Sequence, residues 1–218
     1  ARELNNGVRV IISREMFEVV KFGNFNLDSS SFFEDTFYNS PSNWMTVFGN
    51  WEIASRWACN PIYTYLSSWD RMSSQLYCKH LFGGDVYCEV WFSPKMASLS
   101  RPSYYPIQWF SVSNPSVAGD LSTGYTCAIA TPDSDSMSLF YNGKSISTTK
   151  LRGAMSGGNL HHTWFHLLQT RLSNRLSYDL NFIDERDDPR IFTVEDKRKQ
   201  DLKPQPFAIW NSLTGLTV

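Results

Sequence analysis

Charge is the scarcest ingredient of this 218-residue sequence. Asp, Glu, Lys and Arg make up only 19% of it, and Lys+Arg 20 against Asp+Glu 21 leaves a formal net charge of −1. With no excess of either sign, no global field draws the chain to nucleic acid or to an anionic lipid surface. Long apolar runs are missing too. Even the stretch from Val8 to Val20 is interrupted by Arg9, Arg14, Glu15 and Glu18, so nothing approaches the roughly 18 apolar residues of a membrane span. The opening Ala1-Arg2-Glu3-Leu4-Asn5-Asn6 lacks the basic-then-apolar profile of a secretion signal and has no initiating Met, which reads as a processed or fragmentary start. The four cysteines, Cys59, Cys78, Cys88 and Cys127, include no C-x-x-C and no Cys/His pairing, so they match no metal-binding spacing. Helical periodicity is poor; its best stretch, Glu15 to Phe22, is short and rich in β-branched and aromatic residues. No glycosylation sequon with a permitted middle residue occurs, which favours a bacterial or unglycosylated origin.

Rings are plentiful instead: aromatics reach 15%, with 8 Trp, 10 Tyr and 15 Phe in a chain that is 42% hydrophobic. That composition excludes disorder, and the length suits one large β domain or two small ones. Strand-like runs recur between Gly, Pro, Asn, Asp and Ser clusters. They are Val8 to Ile12, Ser31 to Phe37, Trp44 to Trp57, Gln75 to Phe82, Val86 to Phe92, Ile107 to Val112, Tyr125 to Ala130, Ser138 to Tyr141, Trp164 to Thr170 and Phe207 to Trp210, with weaker ones at Leu176 to Phe182 and Ile191 to Val194. Asn142-Gly143 supplies the two positive-φ positions of a tight hairpin. Gly83-Gly84 reads as a second hairpin that places Cys78 and Cys88 near each other, either as a disulfide or as two buried reduced thiols. Neither an internal repeat nor a Cys, Trp, Cys pattern supports a pair of immunoglobulin-like domains. The residues therefore predict an all-β, two-sheet antiparallel sandwich.

Several local patterns follow one another in a recognisable order. Phe33-Glu34-Asp35-Thr36-Phe37 precedes Trp44 and Gly49-Asn50-Trp51-Glu52-Ile53; Phe82-Gly83-Gly84-Asp85-Val86-Tyr87-Cys88-Glu89-Val90 precedes Ser122-Thr123-Gly124-Tyr125; Leu139-Phe140-Tyr141-Asn142-Gly143-Lys144, His162-Thr163-Trp164-Phe165-His166 and Phe207-Ala208-Ile209-Trp210 follow. This order resembles the concanavalin A-like lectin and glucanase jelly rolls, especially the laminin G-like and glucanase-like branch. The resemblance implies a jelly-roll domain over 31–218, with 1–30 as an extension carrying one strand that packs on the sandwich or on a neighbour. Leu216-Thr217-Val218 falls where the family's last strand normally continues, which leaves a C-terminal truncation open. The resemblance also implies carbohydrate binding, an extracellular or cell-surface location, and a structural Ca²⁺ held by Glu34 or Asp35 with backbone carbonyls. Asp35 is the metal candidate.

Catalytic groups are harder to find. Glycoside hydrolases of this fold commonly alternate three acids on one strand, which brings carboxyl groups to the roughly 5 to 5.5 Å that nucleophile and acid require. Here Asp85 and Glu89 are four residues apart, about 13 Å along a strand. Asp133 and Asp135 have the spacing but sit with Pro132 and Ser134 in a predicted turn. His162 and His166 are likewise about 13 Å apart in an extended strand and cannot chelate one ion; a satisfied rim histidine is the plainer role. No nucleophile elbow, phosphate loop or dinucleotide fingerprint is present. The mixed-sign runs Asp184 to Arg190 and Glu195 to Lys199 read as a solvated hairpin and loop.

Aromatic surface remains. A sugar presents an apolar C–H face ringed by hydroxyls, so a glycan site needs a flat ring to stack on and a few fixed polar groups. Trp57, Tyr63, Tyr65, Trp69, Asp70, Arg71 and Gln75 form one such mixture, and Tyr104, Tyr105, Gln108 and Trp109 another. Tyr87, Glu89 and Trp91 alternate onto one face, where Tyr125 is expected to join them from a neighbouring strand. The candidate ligand-binding set is thus Trp57, Tyr65, Trp69, Arg71, Gln75, Glu89, Trp91 and Tyr125, each of which has the ordinary alternative of a core aromatic or a solvated polar side chain. Three functions fit: non-catalytic glycan or polysaccharide binding; a glycoside hydrolase or lyase whose acids come from separate strands; or a structural module in which Val8 to Ile12 adds to a neighbour's sheet edge, as a homo-oligomer or beside other domains.

Overall fold

The computed structural model describes residues 8–12, 32–35, 43–48, 51–54, 64–67, 74–95, 107–113, 115, 123–131, 134–151, 165–182, 191–212 and 215–217. Sixteen strands lie among them: β1 (Val8–Ile12), β2 (Phe32–Asp35), β3 (Trp44–Phe48), β4 (Trp51–Ala54), β5 (Thr64–Ser67), β6 (Ser74–Phe82), β7 (Val86–Lys95), β8 (Ile107–Ser111), β9 (Tyr125–Thr131), β10 (Ser134–Tyr141), β11 (Lys144–Lys150), β12 (Phe165–Leu172), β13 (Arg175–Phe182), β14 (Phe192–Asp196), β15 (Gln205–Ser212) and β16 (Gly215–Thr217). They build a nine-stranded sheet, ordered β14-β13-β12-β7-β16-β5-β4 with β1 between β7 and β2, and a seven-stranded sheet ordered β11-β10-β9-β8-β15-β6-β3. The two-sheet antiparallel jelly-roll sandwich expected from the sequence is the fold observed.

Period-two alternation explains why the sheets face each other. On β7, Val86, Cys88, Val90 and Phe92 are fully buried in the interlayer core, whereas Tyr87, Glu89 and Trp91 between them are half-buried on the outer side. On β15, Phe207 and Ile209 point into the same core from the opposite sheet. Each such side chain contributes about 1.5–3 kcal/mol by leaving water. Cys78, Cys88 and Cys127 are buried there as separate thiols.

Two expected elements differ. The run Trp44 to Trp57 is not one strand: β3 pairs with β6 in the seven-stranded sheet and β4 with β5 in the nine-stranded one, so Phe48 and Trp51 end and begin strands of different layers. Gly83-Gly84 likewise does not close a hairpin, because β6 and β7 belong to different sheets. It is a corner between layers. Gly84 has φ 74, and its N–H donates to Leu202 O at 2.8 Å. A Cβ on Gly83 would stand 3.2 Å from Pro204 Cγ. By contrast Asn142, with φ 47, and Gly143, with φ 77, form the predicted tight turn between β10 and β11. The N-terminal strand β1 pairs with β2 and β7 of its own chain.

One buried side chain breaks the apolar rule. Arg171, on the inward side of β12, is fully buried. Its guanidinium donates to Val112 O at 2.8 Å, to Phe82 O at 2.6 Å and to Gly84 O at 3.4 Å. Burial pulls its proton affinity down, while Tyr178, Asp201 and Asp85 pull it up. It stays charged. The cation thereby ties the β6–β7 corner and the end of β8 to β12. Arg171→Met should leave those carbonyls without their donor and lower unfolding stability by about 3 kcal/mol or more, measured by urea denaturation; a loss below about 1 kcal/mol would contradict this role.

Candidate functional site

The structure distributes the predicted ligand residues over three places. Glu89 and Trp91 lie on the outer face of the nine-stranded sheet, Gln75 is buried on the outer face of the seven-stranded sheet, and Tyr125 is turned into the interior. Trp57, Trp69 and Arg71 lie outside the described residues, and at Tyr65 in β5 and Asp35 in β2 only the strand is described.

On the nine-stranded face, register brings together residues that are distant in sequence. His166 stands opposite Trp91 on one side and Asn181 on the other; Leu168 stands between Glu89 and Asp179; Thr170 stands between Tyr87 and Ser177. The Trp91 and His166 rings are stacked, with centroids 4.7 Å apart and an interplanar angle of 24°. His166 Nε2 lies 3.8 Å from Glu89 Oε2, with about a quarter of each side chain exposed (23% and 25%). Asp179 Oδ1 accepts a hydrogen bond from Thr193 Oγ1 at 2.6 Å. The far side of β7 is divided: β1 pairs with Val86 to Val90, and β16 with Ser93 to Lys95. Trp91 and Phe92 have no partner on that side among the described residues.

The outer face of the seven-stranded sheet is also aromatic, but enclosed. Gln75, Ala208 and Trp210 are fully buried and Tyr77 nearly so; Trp109 is half-buried, its ring 5.9 Å from that of Trp210. Burial raises the Tyr77 hydroxyl to about 12, against the lowering effect of its hydrogen bond with Gln75. Trp210 Nε1 and Thr126 Oγ1 are buried without a hydrogen-bond partner. This face holds Trp109 from the second aromatic mixture, yet it offers little flat ring surface to a ligand.

Tyr125 does not join Tyr87, Glu89 and Trp91, because β9 lies in the other sheet. Its hydroxyl donates to Asp196 Oδ2 at 2.6 Å and its ring packs on Tyr141 at 4.5 Å. Arg198 grips the same carboxylate through Nε, at 3.0 and 2.9 Å, and through its backbone N–H, at 2.9 Å, while its guanidinium covers the Tyr141 ring at 4.6 Å. Burial alone would raise the Asp196 carboxyl, but the hydrogen bonds from Arg198 and Tyr125 hold it below the ordinary range. Burial, with the Asp196 contact, raises Tyr125 to about 12. The run read as a solvated loop thus contains a buried acid that joins the two sheets. An isolated Asp in a charged run gives no sign of this.

Among the described residues no group of three His, Cys, Asp or Glu is placed to hold a metal ion. Asp135 falls inside β10 and not in a turn. Glu89 and Asp179, one strand apart across Leu168, have Cα atoms about 10 Å apart by strand spacing.

No protein-family model matches the chain, and no curated protein matches it. Solved structures do. Arcelin-5, a lectin-like defense protein from Phaseolus vulgaris, superposes with a TM-score of 0.54 at 11% identity, over 83% of this chain and 93% of that one. Lectin II from Ulex europaeus gives 0.53 at 13% identity, over 83% and 91%. The exoplasmic/lumenal domain of VIP36, in its Ca²⁺/Man2-bound form, gives 0.53 at 11% identity, over 95% and 86%. The chain has the concanavalin A-like lectin fold.

The acid that closes the interior has a pH signature. Its lowered folded value means that its contribution is complete above the unfolded value of about 3.9 and is lost as pH falls through the folded one. Asp196→Asn should cost about 1–3 kcal/mol at neutral pH, and its deficit relative to the parent should shrink below about pH 4; thermal melts across that range decide it.

Proposed function

We propose that the protein is a non-catalytic carbohydrate-binding module that holds glycan on the outer face of its nine-stranded sheet. The observation that carries this is the placing of Trp91: its ring is stacked on His166 and stays half-buried on the outer side of β7, in a row with Glu89. A braced indole loses little freedom when a sugar's C–H face settles on it. Glu89, Asp179 and Asn181 line the same rows and supply acceptors and donors for hydroxyls. The lectin names of the structural neighbours agree with this function, and aromatic stacking is its added claim. An extracellular or lumenal setting, a calcium ion near Asp35, a domain boundary near residue 30, and self-association or neighbouring domains belong to the same proposal.

A hydrolytic alternative has one supporting observation, the Glu89 and Asp179 positions about 10 Å apart on one open face. Release of reducing ends from a retained polysaccharide would favour it.

Affinity electrophoresis through gels of galactomannan, xylan, mixed-linkage β-glucan and alginate tests the binding claim. At least one gel should retard the protein, and Trp91→Ala should weaken that retardation roughly tenfold without changing the melting temperature by more than a few degrees. Free migration through all four gels would refute it.

A further inference from the structure

One end of the sandwich gathers cations that the fold leaves unpaired. The loop between β14 and β15 closes against the β12–β13 turn and the β6–β7 corner: the Gln200 N–H donates to Ser173 O at 3.0 Å, and the Gly84 N–H to Leu202 O at 2.8 Å. The acids there are already engaged. Glu195 is held by Arg175 at 3.2 Å and by Lys197 at 3.0 Å, and Asp196 by Arg198 at 2.8 Å. Asp201 accepts the Lys203 N–H at 3.0 Å, and its charge bears on the buried Arg171. Among the described residues, the ammonium groups of Lys199 and Lys203 have no acid partner.

Both lysines are exposed, and they rim an open cleft of about 680 Å³ that Ser173, Gln200, Asp201 and Leu202 complete, a size within the range of small-ligand sites. Its floor is fixed. Gln200, only 5% exposed, donates through Nε2 to Arg198 O at 2.9 Å and to the Tyr125 hydroxyl at 3.4 Å, and Gln205 Nε2 donates to Asp201 O at 3.1 Å. Gln200 Oε1 is left without a donor, and the half-buried Leu202 adds an apolar patch. An acceptor lacking a donor, beside two ammonium groups lacking an anion, is the complement of a ligand that carries both hydroxyls and an oxyanion, an acidic saccharide. A loop tied at this many points loses little freedom when it binds one.

We propose that this end cleft is a second saccharide site, selective for acidic glycans, in which Lys199 and Lys203 take the carboxylate or sulfate oxygens. It rests on the carbohydrate reading but not on the Trp91 face. His166, which stacks on Trp91, and Leu172, which precedes the cleft's Ser173, stand six residues apart on β12, about 20 Å along the strand. Each exposed ammonium contact is weak alone; two on one oxyanion give the cleft its preference for charged over neutral chains.

Electrophoresis of the whole chain through alginate, which carries carboxylates, and carrageenan, which carries sulfates, tests this against neutral galactomannan. At least one acidic gel should retard the parent, and joining Lys199→Gln to Lys203→Gln should weaken that retardation roughly five- to tenfold while leaving the galactomannan result and the melting temperature unchanged. Lys144→Gln with Lys150→Gln removes the same charge from exposed lysines of β11 and should change neither. Lysine acylation read by mass spectrometry then locates the ligand: an oligosaccharide of the retarding polymer should shield Lys199 and Lys203, and not Lys144 or Lys150. Free migration through both acidic gels overturns the proposal. So does a loss no larger in the Lys199 and Lys203 variant than in the β11 variant, or acylation of Lys199 and Lys203 unaffected by the oligosaccharide. Trp91-dependent retardation in a neutral gel survives any of these results. Conversely, an acidic gel that responds to Lys199 and Lys203, with no retardation sensitive to Trp91, keeps the cleft and removes the site from the nine-stranded face.

Discussion

A guanidinium held between two sheets decides where everything else can stand. Arg171 is fully buried and meets main-chain carbonyls from the β6–β7 corner and from the end of β8. Apolar packing between sheets tolerates sliding, because dispersion contacts are weakly directional. Donor bonds are not so forgiving. Fixing Arg171 against these carbonyls fixes the pairing of Arg171 with Val86, and with it Thr170 with Tyr87, Leu168 with Glu89 and His166 with Trp91. A slip of one residue would send Tyr87, Glu89 and Trp91 into the core and expel Cys88 and Val90. The platform on the outside is thus set by a cation on the inside.

The two outer faces spend their aromatic residues differently. On the seven-stranded sheet, Trp210 and Tyr77 sit in a second small apolar cluster with Ala208 and are closed off from water. On the nine-stranded sheet, Trp91 and Tyr87 stay half-buried among carboxylates, an amide and an imidazole. Counting rings in the sequence treats the two groups alike. Accessibility separates them: among the described residues, Trp91 and Tyr87 keep part of their rings in solvent where Trp210 does not.

Much of this is legible in the amino-acid sequence. Alternation in Val86 to Phe92 already separates Trp91 and Glu89 from the core, and Asn142-Gly143 announces its turn by residue type alone. The order of motifs points to the jelly roll. What the sequence hides is which layer a strand joins. Trp44 to Trp57 is apolar on both sides of Gly49-Asn50, so nothing local reveals that β3 and β4 part company there. Gly83-Gly84 has the residue types of a hairpin and performs a layer change, because its conformation is set by Leu202 and Pro204, more than a hundred residues away. The same holds for side chains. His166 looks like a rim histidine until register puts it beside Trp91, Tyr125 looks like a surface ring until Asp196 claims its hydroxyl, and Asp196 itself is lost in a run of mixed charge. Each of these depends on a contact between segments far apart in the chain, which composition and spacing do not encode.

The core thiols carry a further consequence. Cys88 and Cys127 are fully buried, and burial holds both well above the ordinary thiol range, with the nearby Cys78 and Glu89 charges adding to the effect at Cys88. Since only the thiolate attacks an electrophile, the closed sandwich keeps these sulfurs chemically silent. Alkylation there waits for the layers to part, which makes each cysteine an intrinsic recorder of how often, and for how long, the two halves of the molecule breathe.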